Sequence, residues 1–285
     1  MDAFVAGPEN RAIIVQVDST NGDTVGTQVL PKYPNTNSMG TYHDMEILPD
    51  GSIVLAYRDN AGGTGAPGDV GHLYKINTNG NTTWEFENDG TNATYQYFHE
   101  IYWDGSSLVC TGMEVAGSNN YIGEWVVTRL DTAGQLEWTT TLTGPNTGWG
   151  YRWLTMGNTI TQNSQGEYLV GGAFKYDNPK LPLEGAVVRF SATGDSLNSF
   201  RLAESRGINH IIPSGQGDFM ATGTGLFIDS SGGFKEYFDK ALLARISASG
   251  QIQAYKLAGD TNYYPGAFGQ GTAAYVRESS ITGFW

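Results

Sequence analysis

The sequence predicts an all-β chain built from repeated four-stranded antiparallel units, and three observations predict it. First, a polar-plus-glycine turn introduces a short apolar run again and again, as in Asp50-Gly51-Ser52-Ile53-Val54-Leu55 and Gln165-Gly166-Glu167-Tyr168-Leu169-Val170. The turn glycines Gly51, Gly105, Gly166, Gly217 and Gly271 stand 54, 61, 51 and 54 residues apart. A fixed period in this range marks a solenoid, a propeller or an array. Second, a phrase of alternating apolar and polar residues running into another glycine turn recurs between them. Its copies include Leu73-Tyr74-Lys75-Ile76 before Gly80, Val126-Val127-Thr128-Arg129-Leu130 before Gly134, and Val187-Val188-Arg189-Phe190 before Gly194. Third, no stretch sustains a helical apolar period over three turns.

Each unit divides into four short strands. The first precedes the glycine turn (residues 43–48, 99–103 and 207–212), and the second follows it (53–58, 108–114, 168–174 and 219–224). The third is the alternating phrase, the pattern of a half-buried strand. The fourth follows the next glycine and carries an aromatic residue, as at Trp84, Trp138, Phe200 and Tyr255. Asn79-Gly80, Ala133-Gly134, Thr193-Gly194 and Ser249-Gly250 suit tight hairpins, because glycine reaches positive φ without a Cβ clash.

Four antiparallel strands per unit, repeated around a ring, make a β-propeller blade. Residues 41–260 hold four units. The segment 4–30 supplies later strands of another, and 263–277 supplies its first, so the two termini are expected to share a closing blade that hides both sheet edges. The expectation is one propeller domain over residues 1–285 with about five blades. Residues 3–7 and 272–276 both read as second strands, which leaves open an arm that packs elsewhere or a sixth partial blade.

The order of strand, Asp-Gly turn, apolar strand, polar-ending strand and outer strand resembles the phasing of WD-type blades, in units longer than the usual ~40–45 residues. It is more similar to the repeat propellers of bacterial surface and phage proteins, the delta-60-like and quinoprotein-like blades. That resemblance covers nearly the whole chain and implies the fold; a blade signature implies no activity.

Composition narrows the partners. Charged residues make up only 16% of the chain and the formal net charge is −13. Such a surface repels phosphate backbones, so nucleic acid and anionic membranes are not expected partners; acidity also keeps a protein soluble. Cys110 is the only cysteine and sits in an apolar second strand, which excludes a disulfide framework and suits a small core residue. No basic-plus-apolar leader and no run of ~18 apolar residues is present, so no membrane insertion is expected. The expected setting is extracellular, at a cell surface or in a virion, with the leader already removed or assembly begun in the cytosol.

Nucleotide and metal motifs are nearly absent, and no cofactor is expected. Gly63-Thr64-Gly65-Ala66-Pro67-Gly68 fits the letters of a dinucleotide fingerprint, but Pro67 interrupts it and a strand follows where a helix is needed. The segment 18–23 has a calcium-loop flavour without the remaining ligands and reads better as an Asx-rich hairpin turn.

Three of the four histidines, His43, His99 and His210, fall on first strands, which line the central channel of a propeller. Asp44 and Glu100 follow two of them. Convergent imidazoles and carboxylates could ligate a metal. Asp44 and Glu100 could also serve as the acid and base of a glycoside hydrolase at the channel mouth. Strict alternation of side chains argues against both and favours a hydrogen-bonded wet channel.

The loops leading into the first strands share a Thr/Asn pair followed by aromatics. They carry Tyr42; Tyr95 and Tyr97; Trp149, Tyr151 and Trp153; and Tyr263 and Tyr264. Aromatic rings beside amides and hydroxyls suit a glycan, and they equally suit a protein partner, including neighbouring subunits of a large assembly. The plain structural alternative is that these rings cap the blade cores. The functional expectation is a non-catalytic recognition or structural module binding glycan or protein through this face, with glycoside hydrolysis as the alternative.

Overall fold

The computed structural model describes residues 13–29, 41–58, 71–87, 93–116, 122–142, 156–174, 183–202, 204–214, 217–229 and 236–258. They form four four-stranded antiparallel sheets and one two-stranded sheet, an all-β propeller. The first sheet contains β3 (Thr41–Ile47), β4 (Ile53–Arg58), β5 (Gly71–Ile76) and β6 (Thr82–Glu87). The second contains β7 (Ala93–Trp103), β8 (Leu108–Ala116), β9 (Ile122–Leu130) and β10 (Leu136–Leu142). The third contains β11 (Met156–Gln162), β12 (Tyr168–Phe174), β13 (Glu184–Phe190) and β14 (Ser196–Leu202). The fourth contains β15 (Ser205–Pro213), β16 (Phe219–Asp229), β17 (Glu236–Ile246) and β18 (Ile252–Ala258). In each, strand order follows chain order.

β1 (Ile13–Val17) and β2 (Thr24–Val29) form a hairpin that corresponds to the third and fourth strands of the closing blade. Its turn is the Asx-rich hairpin expected at 18–23: the Thr20 amide donates to Asp18 Oδ1 at 2.7 Å. The other segments expected in that blade, 3–7 and 263–277, lie outside the described residues.

The apolar core is divided into layers between successive blades. Leu73 and Val54 of the first blade meet Phe98, Leu108 and Cys110 of the second. Trp125 and Val127 of the second meet Tyr168, Val170 and Phe190 of the third. Leu169 and Val187 of the third meet Ile208, Ile211 and Leu242 of the fourth. Ile14 of β1 packs on Leu55 and Ile76 of the first blade, which places the hairpin on that side of the ring. Each layer removes apolar surface from water, the main favourable contribution to the fold.

The innermost strands depart from a plain ladder at one repeated point. At matching positions of β3, β7, β11 and β15 a residue is bulged out of register: His43, His99, Asn158 and Asn209. A bulge sets two residues against one and re-aims side chains. Opposite the last three bulges stand Gly112, Gly172 and Gly223 on the second strands. A Cβ at any of them would press on the inner-strand carbonyls of Tyr97, Met156 and Gly207 respectively, so the close approach of the two backbones requires glycine.

Candidate functional site

The bulges decide what reaches the channel. Strict alternation would send His43 and Asp44 to opposite sides of the sheet. With the extra residue inserted, His43 and Asp44, His99 and Glu100, and Asn209 and His210 all line one cavity of about 170 Å³, together with Asn158. All four described inner strands contribute.

The residue after each of the first three bulges ties its blade to the next. Asp44 Oδ2 accepts the Ile101 amide at 2.7 Å, Glu100 Oε2 accepts the Ile160 amide at 2.9 Å, and Thr159 Oγ1 accepts the Ile211 amide at 3.0 Å. Asp44, Glu100 and Thr159 are equivalent positions, as are Ile101, Ile160 and Ile211. A belt of side-chain-to-backbone hydrogen bonds therefore links the four described inner strands. The Asn158 amide adds a bond to the Ile208 carbonyl at 3.1 Å.

Burial works against charge at the hub. It pushes Glu100 up to about 8, with Asp44 adding repulsion against the relief given by Thr159 and the Ile160 amide. Burial raises Glu46 to about 7, again with help from Asp44, and it raises Asp44 as well. The imidazoles move the other way. Burial and then the Arg58 guanidinium lower His43 to about 4; burial, His43 and Arg58 lower His99 to about 3. Burial also lowers His210, whose Nε2 stands 3.9 Å from Glu100 Oε1. At neutral pH the cavity presents neutral imidazoles, two side-chain amides, a protonated Glu100 and the Asp44 carboxyl whose charge helps hold that proton on Glu100.

The His43 and His99 rings meet edge to face at 5.5 Å. The Nε2 atom of each is buried and has no hydrogen-bond partner among the described residues. A buried nitrogen left without a partner costs roughly 1–3 kcal/mol, which a ligand or a water would recover.

The sequence-predicted residues fall into three groups. His43, His99, His210, Asp44 and Glu100, expected on channel-lining strands, are brought together. Tyr97 is only 4% exposed and lies on a strand, stacked 5.6 Å from the His43 ring, 4.7 Å from the His99 ring and under Arg58 at 4.9 Å. It props the histidines and presents no outer face. Tyr42 and Tyr95 also belong to strands, β3 and β7, where loops were expected. Trp149, Tyr151, Trp153, Tyr263 and Tyr264 lie outside the described residues. Sequence reasoning missed Asn158 and Asn209; the glycines opposite the bulges were the signal that could have found them.

The metal alternative is not preassembled at the hub: among the described residues, His43, His99 and His210 do not join a set of three ligand atoms close enough to share an ion.

No protein-family model matches the chain, and a search of curated proteins finds no match. Among solved structures, a luciferin-regenerating enzyme aligns at 12% identity over 88% of this chain and 72% of its own, with a TM-score of 0.43. An α-L-arabinanase of Penicillium chrysogenum complexed with arabinobiose aligns at 10% identity over 75% of this chain, with a TM-score of 0.48. This chain spans 64% of the arabinanase's length. Neither likeness says anything of the chemistry at this hub.

Proposed function

We propose that this propeller is a non-catalytic recognition module that seats a neutral, polyhydroxylated ligand, a terminal sugar residue of a glycan, at its hub. The observation that carries the reading is the cavity itself: small and dense in hydrogen-bonding groups, with three imidazoles, two side-chain amides and two carboxyls in its lining. At about 170 Å³ it is smaller than the ~300–1,000 Å³ of drug-sized clefts. One sugar ring suits it, with hydroxyls that both donate and accept. His43 and Asn158 are each the third residue of their strands, near the ends that follow the aromatic segments in sequence. Trp149, Tyr151 and their counterparts would then stack on the remainder of the glycan.

The belt supports a binding role over a catalytic one. Asp44 and Glu100 hold the next strand's amide in the same way as Thr159, which has no carboxyl. Holding a neighbouring blade is thus a sufficient reason for both carboxyls. One observation favours the rival reading of glycoside hydrolysis: Glu100, raised to about 8, keeps its proton at neutral pH as a general acid must.

A glycan array followed by calorimetry on the best binder, run beside an assay of reducing-sugar release, separates the two. The recognition reading expects saturable binding without turnover, lost in His43→Ala and His99→Ala and kept in Glu100→Gln. Turnover that disappears in Glu100→Gln would replace it with the hydrolase. Binding lost in Trp149→Ala but unchanged in His43→Ala would move the site out to the loops.

A further inference from the structure

Away from the hub, the outer half of the first blade carries a second group of ligating side chains. In the β5–β6 pair, His72 stands directly opposite Glu87 and Tyr74 opposite Glu85. Side chains two residues apart on a strand share a face, so all four lie on one side of the sheet. One nitrogen of His72 and one oxygen from each of Glu85 and Glu87 lie within 4.8 Å of one another. His72 Nδ1 is 3.0 Å from Glu85 Oε1, and the Tyr74 hydroxyl donates to the same oxygen at 3.1 Å. The imidazole is buried at 7% exposure and stacked on Tyr74, while both glutamates reach solvent.

The other four-stranded blades carry no such residues at these positions. Cross-strand register places Val126, Thr139 and Thr141 at the equivalent positions of the second blade. The third blade has Ala186, Ser199 and Arg201 there, and the fourth has Leu242, Tyr255 and Leu257. An apolar residue serves three times where His72 stands. Only the first blade buries an imidazole at this place, and only there do two carboxylates converge on it. Like charges on neighbouring positions of one strand face repel, and a cation held between Glu85 and Glu87 would relieve that repulsion.

We infer that His72, Glu85 and Glu87 form a binding site for a divalent transition metal of the zinc class. One imidazole nitrogen and two carboxylate oxygens are a mixed donor set that zinc accepts, with a fourth position left to water; calcium and magnesium prefer all-oxygen sets of higher number. The exposure of both glutamates gives that fourth position access to solvent. If Nδ1 is the ligating nitrogen, His72 gives up its hydrogen bond to Glu85 when the metal binds. The Tyr74 hydroxyl remains on Glu85 and fixes its orientation, as outer partners of metal-bound carboxylates do. The ion would pin β6, the outermost strand of its sheet, to β5.

The test uses the full chain stripped with a chelator. Zn²⁺ is titrated by calorimetry and Co²⁺ by its visible absorption, and the melting temperature is recorded with and without Zn²⁺. The expected result is one ion per chain and a Zn²⁺-dependent rise in melting temperature. His72→Val, which copies the second blade, and Glu87→Gln should each weaken binding at least about tenfold, since even outer-shell partners are worth that much. Glu137→Gln, which removes an exposed carboxylate from the next blade's outer strand, should leave it unchanged. If His72→Val does not fold, Glu87→Gln decides alone, because Glu87 is exposed. A wild-type chain that takes up neither ion, or binding that survives Glu87→Gln undiminished, overturns the inference. Glycan binding at the hub is unaffected by either result.

Discussion

The indole N–H of Trp138 donates to the Ala192 carbonyl at 3.2 Å, across the boundary between the second and third blades, and its ring covers Gly194 in the same hairpin. Trp84 repeats the contact one blade earlier, donating to Thr132 at 3.1 Å and covering Gly134. Phe200 lies against Gly250 one blade later. The outer strand of each of these blades thus hooks over the turn of its successor. Arg129 adds a bond to the same Ala192 carbonyl, at 3.2 Å. The hub belt and this outer latch hold these three successive pairs of blades at two radii.

Gly194 is required twice over: its φ is +87°, and a Cβ there would lie 2.6 Å from the Trp138 ring. Gly194→Ala should cost roughly 1–3 kcal/mol from backbone strain alone, with the clash adding to it. Trp138→Ala, half-buried against the inter-blade core, should cost on the order of 3 kcal/mol. Removing the ring also removes the clash, so the double variant should be more stable than the sum of the singles predicts. Urea unfolding of the four proteins measures that coupling. Strict additivity would mean that ring and turn do not touch.

The belt separates hydrogen bonding from charge. Thr159→Val deletes the acceptor for the buried Ile211 amide and should cost about 1–3 kcal/mol. Asp44→Asn keeps a carbonyl oxygen for the Ile101 amide, so it should cost less than Asp44→Ala, which keeps none. Equal losses for the two Asp44 variants, again by urea unfolding, would mean that its charge matters at the hub and its hydrogen bond does not.

The blades were legible because turn chemistry is local. Gly51, Gly80, Gly105, Gly134, Gly166, Gly194, Gly217 and Gly250 all adopt positive φ, and each is a turn glycine of the repeat read from the sequence. Placing His43, His99 and His210 on inner strands needed only the order of strands within a blade. The cavity was not legible, because it depends on the extra residue at His43, His99, Asn158 and Asn209, and an alternation rule sends consecutive side chains apart. Tyr97 was misjudged for a related reason. β7 begins at Ala93 because it pairs with the far end of β8 at Ala116, and a segment that looked like a loop became a strand with its ring turned inward.

Cys110 offers a probe of the second blade. It is fully buried between the first two blades, and burial raises its thiol well above the usual value, with Asp44 and Glu46 adding to the effect. A thiolate is the reactive form. A thiol reagent should therefore leave the native chain unmodified at pH 8 and label one cysteine per chain in denaturant. Rapid labelling of the folded protein would contradict the burial.

Glu100 and His99 carry opposite dependences on pH. Burial holds Glu100 up to about 8 and Glu46 up to about 7, against an ordinary 4.5. A raised carboxyl binds its proton more tightly in the folded state, so its contribution is complete below pH 4.5 and is lost as pH climbs through 7 to 8. His43 and His99, held down to about 4 and 3 against an ordinary 6.5, bind theirs less tightly when folded. Their contribution is complete above pH 6.5 and is lost as pH falls through 4 to 3. Between 4.5 and 6.5 the two acids and the two histidines oppose each other, so the hub's share of stability should form a plateau that declines on both sides. Glu100→Gln isolates one limb, because glutamine has no proton to lose and keeps an acceptor for the Ile160 amide. Urea unfolding of both proteins from pH 4 to 9 should give a difference that is flat at the acid end and then moves steadily in the variant's favour up to about pH 8. A difference that does not change with pH would mean that Glu100 ionises as an ordinary surface carboxyl does, and that the hub is wetter and more charged than its burial implies.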